Sequence, residues 1–222
     1  MKKLLLVLII WAGLLWGAFL YLTRPVSAPS VPIVSAEVPV ELPTEAIVFT
    51  IDSARSEAKF EINEVLNNQP FRVVGTTKDV SGEIGLNPAD PNLTDTGIIK
   101  INARTLKTDS ERRDGMIGRM ILKSEANEFI SFAPQSFSGL PKNPRVGKEY
   151  TFTTLGTLTI AGVSKDATFS VKAKANTESE ITAVATASIN YPDFSITIPS
   201  VPMVASVEKQ VDLTFSFVAV KK

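Results

Sequence analysis

The sequence predicts an all-β domain of antiparallel strands, a barrel or a sandwich, behind one apolar N-terminal helix. Three observations carry this prediction. From Ile47 onward, apolar and polar residues alternate with period two in segment after segment. Clusters of Asn, Pro and Asp separate those segments. Within the domain, helical spacing is confined to residues 109–122.

The N-terminal element comes first. Leu4 to Leu22 is an uncharged apolar run behind Lys2 and Lys3. As a helix it spans ~28 Å, close to the hydrocarbon core of a bilayer. The lysines precede the run, so the positive-inside rule keeps the amino end in the cytoplasm and carries the rest across. A signal peptide has an apolar core of ~7–15 residues. This core is longer, and Pro29 hinders cleavage after Val26-Ser27-Ala28, so residues 1–22 are read as an uncleaved, single-pass anchor in the cell membrane. A lipoprotein anchor is excluded, because no cysteine carries the lipid. Residues 23–45 follow as a linker, with Pro25, Pro29, Pro32, Pro39 and Pro43 favouring an extended polyproline chain.

Residues 46–222 form the domain. Alternation runs through Ala58–Asn63, Val80–Leu86, Ile99–Arg104, Tyr150–Ile160, Phe169–Ala173, Ile181–Ile189 and Val211–Ala219. Each reads as a strand with one core face and one wet face. Turn clusters fall at Asn67–Pro70, Asn87–Asn92 and Pro141–Pro144. In residues 109–122, Thr108 and Glu111 fit a capping box, and Met116, Ile117, Met120 and Ile121 recur at helical spacing. One short helix across a barrel end is expected there.

Composition narrows the chemistry. The net charge is zero, which gives no basic field for nucleic acid. With no cysteine, the core holds the fold without disulfides. The absence of both His and Cys removes structural zinc, cysteine nucleophiles and Ser-His-Asp triads. No cofactor or metal and no enzymatic activity are expected. Asp193 and Lys165 fit turn chemistry rather than catalysis.

Four motifs in order carry a resemblance. They are Arg113-Asp114 with Leu122-Lys123-Ser124, Phe129 and Phe132; Leu155 to Lys165; Ile189-Asn190-Tyr191-Pro192-Asp193-Phe194-Ser195; and Val207 to Lys221. Together they resemble YceI-like domains from about Thr50 to Lys221. The pattern departs at Ala161, Tyr191 and Ser195, where that family often has His, Arg and Gly. The resemblance implies a lipocalin-like antiparallel eight-stranded barrel, exported, whose lumen holds a polyisoprenoid or quinone-like lipid.

A barrel of that size is filled by side chains or holds one slim ligand. Ala183, Ala185 and Ala187 make one small inner face, and Gly82 and Gly156 sit on others, which favours a channel. The opposing expectation packs these residues closely against Phe215 and Phe217. In the channel reading, Phe60, Ile84, Ile101, Met116, Met120, Phe129, Phe152, Leu158, Ala185, Phe194 and Phe215 meet the ligand in lumen or mouth. Met116 and Met120 then act as an adaptable lid. Arg112 and Arg113 either hold a polar head group or fix the helix to the rim by ion pairing. The filled-barrel alternative is a cell-surface interaction module that contacts proteins through loops 63–70 and 139–148. The expected partners are thus a lipid in the lumen and the membrane through the N-terminal helix.

Overall fold

The computed structural model describes residues 47–87, 94–200, 202 and 204–222. The expected anchor and linker lie outside them. No helix among the described residues is long and apolar enough to cross a membrane.

The domain is a nearly closed antiparallel barrel with one short helix. Its strands are β1 (Ile47–Ile51), β2 (Glu57–Leu66), β3 (Gln69–Thr77), β4 (Val80–Ser81), β5 (Glu83–Leu86), β6 (Asp95–Thr96), β7 (Ile99–Asn102), β8 (Phe129–Ser138), β9 (Glu149–Ile160), β10 (Val163–Thr177), β11 (Glu180–Asn190), β12 (Val204–Val207) and β13 (Gln210–Lys221). These thirteen segments correct the expected eight strands. Local breaks divide longer runs: a 3₁₀ turn at Ser53–Arg55 parts β1 from β2, and Gly82 parts β4 from β5.

Joined across their breaks, the segments follow one another round the wall in chain order. β13 pairs β11 along one edge, and β2 and then β1 along the other. Ser56 stitches the interruption in that seam: its hydroxyl donates to the Asp52 carbonyl (2.6 Å) and accepts from the Val218 N–H (3.1 Å). The thinnest joints are β4 to β7 and β5 to β6, where short segments meet. Both ends of the described chain lie at one end of the barrel. Ile47 pairs with Leu86, and the Lys222 N–H bonds the Val48 carbonyl. Loop 139–148 lies at that end too, since Lys174 pairs with Glu149 and Glu180 with Val220.

Several turns differ from their expected places. Asn67 and Asn68 both take positive φ (50° and 61°), which makes a two-residue hairpin turn. Gln69 and Pro70 therefore belong to β3, and the expected loop 63–70 shrinks to that turn. The β9–β10 turn is Ala161–Gly162, so Lys165 sits within β10 opposite Leu158. Ser195 ends the 3₁₀ turn Tyr191–Phe194 at φ 56°, a left-handed conformation that glycine adopts at less cost.

The helix is shorter than its periodicity implies. α1 (Glu111–Met116) is followed by a π-type turn at Ile117–Ile121, where the Leu122 N–H reaches the Ile117 carbonyl. Ser110 is the N-cap in place of Thr108, its hydroxyl accepting from the Arg113 N–H. Thr108 is engaged elsewhere: both its N–H and its hydroxyl donate to Asp114 Oδ1 at 2.7 Å.

Arg55 ties the β1–β2 break to the β10–β11 turn by bonding Asp52 (2.7 Å) and Glu180 (2.6 Å). The hydrogen bond from Arg55 is the main cause holding both carboxyls below their ordinary range. Their contribution is complete above the unfolded carboxylate values and is lost as pH falls through the lower folded ones. Urea midpoints should therefore drop below about pH 4, and Arg55→Ala should flatten that acid limb. An unchanged limb in the variant would refute the assignment.

Candidate functional site

The inner face of the barrel is not filled. It encloses a cavity of about 180 Å³ that adjoins a second of about 140 Å³ toward the end where loop 139–148 lies. Ile84, Leu86, Phe152, Val171 and Phe217 border both. An engineered cavity of ~150 Å³ lined by aliphatic and aromatic groups stays dry and binds benzene. The lumen here offers room of that order twice over, in two adjoining spaces that share wall residues. Leu106, Leu158 and Ile160 line its inner part, and Leu140, Pro141 and Pro144 of loop 139–148 line its outer part.

Strand register shows how the space arises. On β11 and β13, Ala185 stands opposite Phe215 and Ala183 opposite Phe217. The two rings stack on each other, centroids 5.0 Å apart. Small and large residues do sit side by side, as close packing requires, yet Ala183 and Ala185 still border open space. The glycines act differently from expectation. Gly82 is covered by Ile99, whose Cδ1 lies 2.5 Å from where a Cβ would stand. Gly156 is pressed by the Phe132 ring and the Pro134 Cα, each 2.8 Å from its missing Cβ. Both are close approaches of the wall and not open sectors.

A bulge in β8 completes the lining. Phe132 and Pro134 pair with Leu158 and Gly156, but after the register shift it is Phe137 that pairs with Thr154. The extra residue swaps the inward parity, so Phe137 joins Phe132 and Pro134 on the lumen side.

A domain model described as YceI-like matches residues 49–219. The chain belongs to the YceI-like family. Solved structures share the fold of this YceI-like barrel at low identity. BcnA of Burkholderia cenocepacia is 17% identical with a TM-score of 0.60, covering 77% of this chain and 99% of its own. A polyisoprenoid-binding domain from Saccharophagus degradans, implicated in plant cell wall breakdown, is 13% identical with a TM-score of 0.62, over 79% and 99%. The Campylobacter jejuni YCEI protein is 21% identical with a TM-score of 0.53, over 67% and 84%. No match was found among curated proteins.

Within the YceI-like barrel, Phe60, Ile84, Ile101, Phe152, Leu158, Ala185 and Phe215 all line the inner cavity. Four other expected contacts do not. Phe129 stands on the opposite face of β8, with the Lys100 ammonium 5.9 Å from its ring centroid. Its neighbours Ile130 and Phe132 face the lumen instead. Phe194 is buried in the core within the Tyr191–Phe194 turn. Met116 and Met120 border neither cavity, and Met120 is 45% exposed. Ile117, Ile121 and Leu122 pack the helix onto the core in their place. Sequence reasoning missed Phe137 and Phe169; the first needed the bulge, and the second carried an alternation signal that was legible but not promoted to the site.

The arginines lie at the helix end, away from the outer cavity. Arg113 bridges Asp109 and Glu64, the latter at 3.3 Å, and its guanidinium lies 5.5 Å from the Phe71 ring centroid. It thus pins α1 to the β2–β3 hairpin. Arg112 is exposed. Arg113→Ala leaves the largely buried Glu64 carboxylate without that partner, so a loss of about 1–2 kcal/mol in unfolding free energy is expected. Occupancy of the inner cavity, which Arg113 does not line, should not change. An affinity loss at unchanged stability would instead make Arg113 a head-group contact.

Proposed function

We propose that this protein is a membrane-tethered, extracytoplasmic lipid carrier whose lumen holds an apolar chain, a polyisoprenoid or quinone-like lipid. The observation that carries this reading is the apolar cavity, lined by Phe60, Ile101, Phe152, Leu158 and Phe215 among others, with a second apolar space adjoining it. Burial is the driving force: each CH₂ taken from water contributes ~0.8 kcal/mol, so a long chain binds tightly with few polar contacts. The similarity to a polyisoprenoid-binding domain supports the same ligand class. The proposed role is binding and not catalysis, because aliphatic and aromatic walls bury a chain but move no protons.

The tether belongs to the proposal on the strength of the apolar run Leu4–Leu22 and the proline-rich linker after it. It would hold the carrier near its lipid source and raise the effective concentration. Native mass spectrometry of the full chain, purified from its membrane and freed of detergent in the instrument, tests the reading. A discrete added mass, released as an apolar chain on extraction, supports a carrier. A clean apo mass that persists after incubation with isoprenoids and quinones returns the weight to an interaction module.

A further inference from the structure

The lumen contains one polar atom that its surroundings leave stranded. Thr154 is 6% exposed and borders the inner cavity. Among the described residues no group hydrogen-bonds its Oγ1. Its neighbours on the inner face are Phe152 and Gly156 along β9, with Phe137 and Phe169 opposite it on the flanking strands. A buried hydroxyl without a partner is costly, and a valine of the same shape would avoid the cost. A lone water does not resolve it, because a buried water needs two to four polar partners and rings surround this hydroxyl.

We propose that Thr154 is a hydrogen-bonding subsite for an uncharged oxygen, carbonyl or hydroxyl, borne by the apolar ligand inside the lumen. This rests on the carrier reading and narrows it. Phe137 and Phe152, with centroids 6.4 Å apart, flank the position with aromatic surface suited to a flat or unsaturated group. A phosphate does not fit there, since no cationic side chain stands beside Thr154 on the inner face to offset its desolvation.

The test compares the full-length protein with Thr154→Val and Thr154→Ser. The probes are a prenyl alcohol, a prenylated benzoquinone, a prenyl phosphate and an isoprenoid hydrocarbon of matched length. Wild type should prefer the alcohol or the quinone over the hydrocarbon by about five- to ten-fold, the size of one neutral hydrogen bond. Thr154→Val should erase that preference, leave hydrocarbon affinity unchanged and raise the melting temperature of the ligand-free protein. Thr154→Ser should keep the preference. A preference for the quinone alone makes Thr154 the donor; a preference shared by the alcohol extends the subsite to hydroxyls. If Thr154→Val binds every probe as wild type does, or the phosphate binds tightest, this inference falls while the carrier reading stands. If no probe binds wild type, both fall.

Discussion

Ala185→Phe is expected to abolish uptake of the proposed lipid while leaving the barrel folded. Ala185 borders the inner cavity from the middle of β11, between Val171 on β10 and Phe215 on β13. A benzyl group there grows into the space the ligand would occupy. Displacing about four methylenes costs about 3 kcal/mol of binding, a loss of at least about 100-fold. The fold should tolerate the change, because the ring enters a void; strain from imperfect fit is held to about 1–3 kcal/mol. Val184 next to it is the control, being 41% exposed on the outer face. Val184→Phe adds the same bulk outside and should leave binding alone. Titration with a fluorescent isoprenoid, beside a thermal melt, reads both quantities. A folded Ala185→Phe protein that binds as wild type would place the ligand outside the lumen.

Gly156→Ala is expected to be the most damaging small substitution in the wall. The new methyl group would overlap the Ala133 carbonyl and stand 2.8 Å from both the Pro134 Cα and the Phe132 Cζ. Two of those three are backbone atoms of the β8 bulge, which cannot turn aside as a side-chain tip can. The bulge must shift, and with it the inward aim of Phe137. A loss of about 3 kcal/mol is expected, read as a lowered urea midpoint. Gly82→Ala is the informative comparison. There the nearest atom is the Cδ1 of Ile99, the end of a side chain with other rotamers. Its cost should be clearly smaller, and equal losses at the two glycines would contradict the role given to the bulge.

The strands that were easiest to read were the ones with unbroken alternation. β9, β11 and β13 keep their phase over long spans, so their inner and outer faces follow from the sequence, whereas only Phe169–Ala173 of β10 was legible. β3 was hidden because Pro70 beside Asn67-Asn68 looks like turn chemistry; in fact only the two asparagines turn. In β8 the phase error was one residue. Phe129 stood in for Ile130, and nothing local announces that a bulge later moves Phe137 to the lumen. The helix misled in another way. Its four apolar residues at helical spacing include two methionines, but only Ile117 and Ile121 of the four pack on the core cluster, and Met120 stays exposed. The cavity itself was legible only as small side chains on β11. Whether alanines leave space or are covered depends on neighbours across the barrel, which no single strand encodes.

The seam between β13 and the first two strands has a consequence for how the molecule is assembled. Apart from the β12–β2 ladder, which extends the same seam, the other ladders among the described residues join runs that follow one another along the chain, so each closes a shorter loop. The Ser56–Val218 stitch joins residues 162 apart. Doubling a loop's length adds only ~0.6 kcal/mol of closure entropy, so this separation weighs little on stability and more on folding rate. Until the last run meets the first, the inner face is an open, curved apolar sheet. The lumen is therefore not enclosed until this long-range pairing is made, however early the other ladders form.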